Sequence, residues 1–390
     1  MKRITRLAWF CRALTLFVGV AQAGHASAQT MTWYDKEIDV GSSEAEWYQP
    51  RLASDQISDF VVVGFDNGTS LDPIQYRTGS VPYNETSFDG AAYGEDYAAG
   101  LSPSATMAVV HYNDGWPPYG AVVEVHQGGQ RNDAALWSHV AQYFPTIATT
   151  LTFTDGQLYD TGYNASVATD TGAGTWDIGQ GPFSLPVVEV HQAAPGISTL
   201  WYHVGTLTFA ADGTPSVTWG PPYSFDTGYL PSVTLCDTAS GDEVAIEVHE
   251  GEPGTLWYST GVISGNRILW NSSTIYSNGY APSVTCEETS LATGGIAVLP
   301  YVVEVHQAGN PAAGESTKLW YYIAPWTAPS VGFAKVSPHE YDTGCSPSVA
   351  LGYESPNESN SFYWTVLETH LKTCGKPGSL LYDYGSFVIP

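Results

Sequence analysis

The chain has 390 residues and carries 13 basic against 39 acidic side chains, a formal net charge of −26. A surface this acidic repels the phosphates of nucleic acid and the anionic headgroups of membranes, so both are excluded as partners. Neutral ligands, cations or basic partners remain, and the same charge also fits a protein that simply stays dissolved in a salty or extracellular setting.

The first 28 residues have the pattern of a secretory signal peptide. Lys2 and Arg3 precede an apolar run, Ala13 to Val20, and Ala26-Ser27-Ala28 offers a small-x-small cleavage site. The apolar run is too short to span a bilayer. We therefore expect residues 1–28 to be removed and residues 29–390 to form one folded domain. The protein is then secreted or periplasmic, with no membrane insertion.

The rest of the chain repeats with a period of about 60 residues. The central motif is an alternating strand that ends in Glu-x-His, and it occurs at 122–127, 187–192, 245–250, 302–307 and 366–371. A Leu-Trp strand follows each copy, in the weaker form Leu381-Tyr382 after the last. A turn of the Asp-Thr-Gly type precedes each copy, and its Gly is expected to supply a positive φ.

Four strands in about 60 residues are the size of one β-propeller blade. Five repeats are clear, and Phe60–Gly64 with Pro73–Gly79 is a diverged sixth. The segment Met31–Trp33 matches the outer strand Val217–Trp219, so the N-terminal strand is expected to complete the last blade and close the ring. We predict an all-β fold, a single six-bladed β-propeller of four-stranded blades. Because the first pair is the weakest, a five-bladed ring stays open.

A Glu and a His lie on the same face of the central strand in four repeats. One catalytic centre does not need four copies, and a polar pair in a packed strand needs a partner. We interpret the pairs as structural contacts between neighbouring blades. They are Glu124, His126, Glu189, His191, Glu247, His249, Glu304 and His306.

The blade topology brings the Asp-Thr-Gly-Tyr turn and the end of the central strand to one face of the disc. An aromatic ring beside acceptor and amide groups suits a sugar, and repeated weak sites give avidity. The predicted ligand-binding residues are Asp160, Tyr163, Gln192, Trp201, Asp226, Tyr229, Glu250, Trp257, Tyr280, Gln307 and Trp320. The tryptophans fit packing between blades equally well. The long loops 113–120 and 173–186, with Trp116 and Trp176, are a second candidate region.

No catalytic set is visible, so the chain is not expected to be an enzyme. Propeller glycosidases need carboxylates over the central channel. The inner strands instead begin with a repeated Ser, replaced by Arg51 in the first repeat. The carboxylates that could be recruited are Asp170, Asp237, Glu287 and Glu288. Nucleophile-elbow, zinc-protease and phosphate-loop motifs are absent from the sequence.

Four cysteines remain after the signal segment, an even number in an exported chain. Cys345 and Cys374 lie in two loops on the same face of the last blade, and we predict that they pair. Cys236 and Cys286 lie on successive inner strands and could also pair. With no Cys-x-x-Cys and no His/Cys cluster at metal spacing, no metal and no cofactor are expected.

The repeat period, the Trp-bearing strands and the Gly turns resemble those of bacterial and fungal propeller lectins, the tectonin-like group. This resemblance of architecture implies sugars bound in pockets between blades. We therefore expect a secreted, non-catalytic, carbohydrate-binding propeller whose partners are glycans or cell-surface polysaccharide. The alternatives are a secreted polysaccharide hydrolase or lyase, and a protein-interaction propeller without a small ligand.

Overall fold

The computed structural model describes most of the chain beyond the signal segment. The described residues are 31–34, 47–54, 59–66, 73–80, 98–110, 119–128, 134–143, 151–170, 181–238, 242–252, 254–286, 300–354, 363–374 and 380–388. The predicted signal peptide, Trp116, Trp176, Glu287 and Glu288 lie outside them. No helix among the described residues is long and apolar enough to cross a membrane.

The described chain contains 27 β-strands and two short 3-10 helices. The N-terminal strand is β1, and the first three repeats contain β2 to β14. Their bounds are β1 Thr32–Tyr34, β2 Trp47–Ser54, β3 Asp59–Asp66, β4 Pro73–Ser80, β5 Ala98–Val110, β6 Tyr119–Gly128, β7 Ala135–Tyr143, β8 Thr152–Phe153, β9 Gln157–Thr161, β10 Tyr163–Thr169, β11 Phe183–Ala194, β12 Ile197–Phe209, β13 Pro215–Trp219 and β14 Tyr223–Thr227.

The remaining three repeats contain β15 to β27 and both 3-10 helices. Their bounds are β15 Tyr229–Asp237, β16 Glu243–Glu250, β17 Leu256–Ser264, β18 Arg267–Trp270, β19 Thr274–Ser277, β20 Tyr280–Cys286, β21 Tyr301–Gln307, the helix Pro311–Ala313, β22 Lys318–Thr327, β23 Ser330–Val331, the helix Phe333–Lys335, β24 His339–Thr343, β25 Cys345–Glu354, β26 Tyr363–Leu371 and β27 Leu380–Val388.

The fold is an all-β propeller, but its described strands pair into five sheets and not six. One sheet has eight strands, because β4 pairs with the first residues of β5 through Pro73↔Ala99 and Ile74↔Ala98. In later repeats an outer segment ends at the turn Gly and a new inner strand starts after it. Strand β5 instead runs through Gly100 without a break, which joins the first two repeats. The predicted count of six blades is therefore not confirmed by the sheet count.

The innermost strands follow one another around the axis. Each of β2, β5, β10, β15, β20 and β25 contacts the next, and β25 contacts β2. Six apolar clusters lie between consecutive repeats, and one of them joins the last repeat to the first through Leu367, Tyr382, Leu52 and Phe60. The N-terminal strand β1 pairs with β27, at the edge where it was expected.

The repeated serines of the inner strands have a structural role. Ser104 Oγ accepts a hydrogen bond from the Val167 backbone N–H at 3.2 Å, and Ser348 Oγ accepts one from Leu52 N–H at 2.9 Å. Ser166, Ser232 and Ser283 make the same bond to the next inner strand. Burial raises the cost of leaving such backbone donors unpaired, so this ladder stabilises the ring around its channel.

The fourth strand of the repeat differs from the prediction. In the second to fifth repeats it is broken into two segments, and both pair with the same third strand. In the third repeat β13 pairs with the C-terminal part of β12, residues 205–209. Strand β14 pairs with the N-terminal part, residues 199–202. The break turns β14 so that its last residues reach the next repeat, which places Asp226 at the interface.

Two disulfides are present, Cys236–Cys286 and Cys345–Cys374. The first joins β15 to β20, two neighbouring inner strands. The second joins Cys345, the first residue of β25, to Cys374 in the segment that follows β26, and it is the pairing that was predicted for the last repeat.

Candidate functional site

The turn that precedes each inner strand is built differently from the prediction. Gly162, Gly228 and Gly344 do not have positive φ, so the predicted reason for these glycines is wrong. A Cβ added to Gly228 would clash with Cδ2 of His249. A Cβ added to Gly162 or Gly344 would clash in the same way with His191 or His370. The glycine is needed because the imidazole ring packs directly on its Cα.

The left-handed residue comes two positions later, where the inner strand has a bulge. It is Gln49, Ser102, Asn164, Leu230, Ala281 and Ser346 in successive repeats, with φ between 44° and 53°. The register of the inner strand shifts at each of these points. Leu and Ala rarely adopt this conformation, so Leu230 and Ala281 hold local backbone strain at this face.

The Glu and His of the central strands are buried and bonded to each other. The Nδ1–carboxylate distance is 3.0 Å in Glu124–His126, 3.1 Å in Glu189–His191, and 3.0 Å in both Glu247–His249 and Glu304–His306. The last repeat has a fifth pair, Glu368–His370, at 2.9 Å. All five carboxylates are 0% exposed.

The outer segment of the preceding repeat completes the polar networks of the third, fourth and fifth repeats. Asp160 accepts a hydrogen bond from His203 Nε2 at 2.7 Å, and Asp226 accepts one from Ser259 Oγ at 3.2 Å. Tyr276 donates its hydroxyl to Glu304 at 2.9 Å. These contacts cross from one repeat to the next, so the networks lie where the predicted structural pairs were expected to act.

The networks shift the proton affinities of their members. Burial opposes ionisation of His249, but the neighbouring Glu247 carboxylate raises the pKa of that imidazole. Burial likewise opposes the ionised form of Asp160, but the hydrogen bond from His203 holds the pKa of that carboxyl below its usual value. These two shifts favour the charged imidazole and the charged carboxylate, whereas burial raises the pKa of Glu247 and so opposes its ionisation.

A cleft of about 280 Å³ opens at the fourth repeat, on the face predicted to bind ligand. It brings together Asp226, Tyr229 and Trp257 of the predicted set, beside His249. Its remaining lining residues are Ser198, Thr227, Gly228, Gly251, Glu252 and Ser273. This volume is just below the usual range of small-molecule sites, about 300–1,000 Å³, so the cleft suits a ligand of about one sugar ring.

The walls of this cleft are held by local contacts. Trp257 donates its indole N–H to Thr255 Oγ1 at 3.2 Å, and the same ring lies against Gly251, where a Cβ would come within 2.4 Å of Nε1. Glu250 pairs in register with Tyr229 outside the lining, and burial raises its pKa to about 7. The cleft therefore has an aromatic wall, carboxylates and hydroxyls, and its lining residues include no lysine or arginine.

The predicted residues of the third repeat are used within the protein. Asp160 bonds to His203, and Gln192 is 3% exposed, with its amide donated to the Ala194 carbonyl at 2.8 Å. Tyr163 and Trp201 are partly exposed, with Tyr163 in register with Gln192 and Trp201 with His191. These four residues thus lie at one face, but the polar groups of Asp160 and Gln192 already form hydrogen bonds within the protein.

The fifth repeat behaves similarly. Gln307 is 4% exposed, and its Oε1 accepts the Ser346 N–H at 3.4 Å. Trp320 is partly exposed, and its indole N–H is buried without a hydrogen-bond partner. Tyr280 reaches back to the preceding repeat, where its hydroxyl would lie 3.0 Å from a Cβ on Gly254. Tyr280 is thus positioned at the loop beyond the cleft.

A group of carboxylates that the sequence suggested only in part lies at the opposite face. Asp170 directly follows β10, Asp237 is the last residue of β15, and Glu243 is the first residue of β16. Burial and the charge of Asp170 raise the pKa of Asp237 to about 6. Burial, Asp170 and Asp237 raise the pKa of Glu243 to about 8, and its Oε1 is buried without a hydrogen-bond partner. Glu243 was not among the predicted residues, because it starts a strand and has no motif around it.

Among the described residues that line the channel there is no carboxylate. Among its lining residues are the partly polar positions Ser54, Thr106, Thr169, Thr234 and Thr285. Arg51 takes the place of the serine in the first inner strand, and burial lowers the pKa of its guanidinium to about 10.

The weak copy of the Leu-Trp motif was assigned one residue out of register. In the third repeat Gln192 pairs with Leu200, His191 with Trp201, and Glu189 with His203. In the last repeat Leu371 pairs with Leu380, His370 with Leu381, and Glu368 with Asp383. The equivalent of Leu-Trp is therefore Leu380-Leu381, and Asp383 takes the place of His203.

No protein-family model matches the chain, and no curated protein matches it. Among solved structures, the fucose-specific lectin from Aleuria aurantia is 10% identical, covers 88% of this chain and 97% of its own, and has a TM-score of 0.43. The α-L-arabinofuranosidase of Fusarium graminearum is 10% identical over 93% of this chain and 98% of its own, with a TM-score of 0.44.

The haemagglutinin-neuraminidase of parainfluenza virus 5 is 9% identical, covers 93% of this chain and 94% of its own, and has a TM-score of 0.46. The resemblance to propeller lectins is one of architecture. At these identities and scores, neither a family nor an activity follows from the likeness.

Proposed function

We propose that this protein is an exported, carbohydrate-binding propeller of six blades, and that the cleft formed by Asp226, Tyr229 and Trp257 binds one unit of a neutral glycan. The cleft is the observation that carries the proposal, because it combines an aromatic wall with acceptor groups on an exposed face. A sugar presents C–H patches to such a ring and hydroxyls to such acceptors.

Six blades are supported by contacts that do not depend on how sheets are counted. Six inner strands contact one another in a closed ring, and six apolar clusters lie between consecutive repeats. Six left-handed bulge residues mark the same point in every repeat. We assign β2–β4 to the first blade, together with the first residues of β5 from Ala98, which form its outer strand. The rest of β5 is assigned to the second blade.

Export is supported by two features. Disulfides form and persist in oxidising compartments, and the described chain has two. Residues 1–28 have the composition of a signal peptide, and residues 29–390 form the propeller in this proposal.

A neutral glycan is favoured over an acidic one by charge. The cleft contains Asp226 and Glu252, and the whole chain carries −26. Uronic or sialic acid units would be repelled at low salt, because like charges interact over about 10 Å at 0.1 M salt.

The test is a glycan array, followed by calorimetry, on the chain from residue 29 onward. We expect binding to neutral glycans, and Trp257→Ala should weaken it about tenfold or more, since one stacked aromatic contributes about 1 kcal/mol or more. Leu269→Ala is the matched control, because Leu269 is 64% exposed on an outer strand of the same repeat. Equal binding by both variants would move the site elsewhere, and no binding to any glycan would favour the protein-interaction propeller.

A second candidate is a polysaccharide hydrolase, favoured by the carboxylates on the opposite face. Two acids whose pKa values are held apart are the usual acid and base arrangement, and here burial raises the pKa of Glu243 to about 8 and that of Asp237 to about 6. Release of reducing sugar by the wild type that is lost in Glu243→Gln, but kept in Trp257→Ala, would establish this activity. No release by the wild type would remove it.

A further inference from the structure

The interface between the fifth and last repeats has a polar cluster unlike the others. Asp342 on β24 lies 3.6 Å from His370 Nε2 through its Oδ2, and Asp383 on β27 lies 3.9 Å from His370 Nδ1. Glu368 bonds to the same Nδ1 at 2.9 Å. Three carboxylates thus surround a single imidazole.

The same position carries four residue types over the last five repeats. Opposite the buried Glu of the central strand, the third strand presents in turn His139, His203, Ser259, Tyr322 and Asp383. The first four can donate a hydrogen bond or carry positive charge, whereas Asp383 adds a third carboxylate. The last repeat therefore has an excess of negative charge where the others have donors.

One nitrogen of this cluster is buried and without a partner. His370 is 0% exposed, and its Nε2 makes no hydrogen bond. His370 Nδ1 bonds to Glu368 at 2.9 Å, and its Nε2 faces Asp342 Oδ2 at 3.6 Å. A histidine that donates one N–H to a carboxylate and offers the other nitrogen is the usual arrangement of a metal ligand.

The ion pairs of the cluster join the single imidazole of His370 to three carboxylates. Three carboxylates around one imidazole leave an excess of negative charge, and buried charges need compensation.

We propose that Asp342, His370 and Asp383 bind a divalent transition-metal ion, Zn²⁺ or Mn²⁺, between the fifth and last repeats. Their three ligand atoms lie within 4.8 Å of one another, so a small rearrangement brings all three to one ion. Carboxylates with an imidazole suit these ions better than Ca²⁺, which takes oxygen ligands. Glu368 orients the imidazole and is not a ligand.

Two related clusters do not carry the same proposal. Asp160, His191 and His203 lie within the same reach, but Asp160 already accepts the 2.7 Å bond from His203. In the cluster Glu124, His126 and His139, the first two residues bond to each other and His139 Nδ1 bonds to the Thr154 carbonyl at 2.8 Å. Each of these clusters contains two imidazoles, which balance its acids.

The ion would stabilise the ring where it closes. Asp342 belongs to an outer segment of the fifth repeat, whereas His370 and Asp383 belong to the last, which also contains β1 and the Cys345–Cys374 disulfide. A ligand that binds only the folded state raises the free energy of unfolding in proportion to the logarithm of its concentration over Kd.

The test measures metal content and affinity in the chain from residue 29 onward. After dialysis against EDTA, calorimetric titration with Zn²⁺, Mn²⁺ and Ca²⁺ should show one site that prefers the first two. Asp383→Ser, which copies the fourth repeat, and Asp342→Asn should each lose more than the roughly 10- to 100-fold typical of an outer-shell change. Glu340→Gln, an exposed acid on the same strand β24, is the matched control and should bind like the wild type.

The outcomes are separable from folding. Asp342 is 31% exposed, so its variant is expected to fold, and its unfolding midpoint in EDTA shows whether it does. Absence of binding by the wild type, or equal binding by the wild type and both ligand variants, overturns the proposal. Equal binding would place the ion at another cluster.

Discussion

The polar cluster of the third repeat and that of the last occupy the same backbone positions but differ in one residue. In the third, Glu189, His191, His203 and Asp160 combine two acids with two imidazoles. In the last, Glu368, His370, Asp383 and Asp342 combine three acids with one. The backbone register is the same in both, with His203 and Asp383 each opposite the buried Glu.

The repeat therefore determines the backbone geometry of each interface, whereas the residue opposite the buried Glu determines its charge balance. A His at this position donates to the Asp of the preceding repeat and closes the network. An Asp at this position leaves a buried nitrogen without a partner and requires a proton or a cation instead. Similar interfaces can thus be stabilised by side chains alone in one repeat and by a bound ion in another.

The largest expected effect comes from removing the buried acid in the balanced cluster. Glu189→Ala leaves His191 buried without its partner, and we expect it to lower the free energy of unfolding by about 3–5 kcal/mol. Glu368→Ala in the last repeat should cost clearly less in EDTA, because it removes one of three repelling carboxylates. Urea unfolding of both variants in EDTA compares them directly.

Equal losses in the two repeats would contradict the difference in charge balance. Glu189→Gln serves as a control in the third repeat, since it keeps the shape and an acceptor oxygen while removing the charge. Its free energy of unfolding should lie between those of the wild type and Glu189→Ala.

The acids of the opposite face sharpen the comparison, because they have no imidazole at all. Burial raises the pKa of Glu243 from its usual 4.5 to about 8, so between these values the folded state binds more protons than the unfolded state. Stability should therefore fall as pH rises from about 4.5 to about 8. Glu243→Gln should remove this decline and gain on the order of 2 kcal/mol at pH 9, discounted for partial exposure.

Thermal unfolding between pH 4 and pH 9 measures this effect, with the buffer ranges overlapped. If stability instead rose between pH 5 and pH 8 with the same slope in the wild type and in Glu243→Gln, Glu243 would be ionised in the folded state.

The sequence predicted the strands and their order because the repeat shows both at once. The Glu-x-His alternation assigned the central strands, and the match between Met31–Trp33 and Val217–Trp219 placed β1 beside β27. The turn glycine was assigned to the wrong cause, since only the packed structure shows the His ring against its Cα. Backbone strain fell on Leu230 and Ala281, residue types that give no signal for a left-handed conformation.

The candidate sites were harder to predict because their residues come from different repeats. Asp226 and Trp257 were placed at one face by topology, and the cleft contains both. Asp383 was missed, since the last Leu-Trp copy was aligned one residue out of register. Correct alignment of Leu380 with Leu200 would have placed Asp383 opposite Glu368. The burial of Gln192 and Gln307 depends on loop packing, which no motif encodes.

Exchanging the distinguishing residue tests the comparison with a smaller expected effect. Asp383→His should give the last repeat the donors of the third and raise the free energy of unfolding in EDTA by about 1 kcal/mol. His203→Asp should change stability by a similar amount in the opposite direction. Urea unfolding measures both, and a loss of stability in Asp383→His would show that the last interface cannot accommodate the ring.

The smallest effect concerns the surface beside the last cluster. Lys318 and Glu340 form an ion pair at 2.6 Å across β22 and β24, but their side chains are 51% and 41% exposed. Lys318→Ala should therefore cost at most about 0.5 kcal/mol, and the difference should vanish at about 1 M salt. Because β24 also carries Asp342, a loss several times larger in urea unfolding would mean that this pair, and not the buried cluster, holds the outer segment against the last repeat.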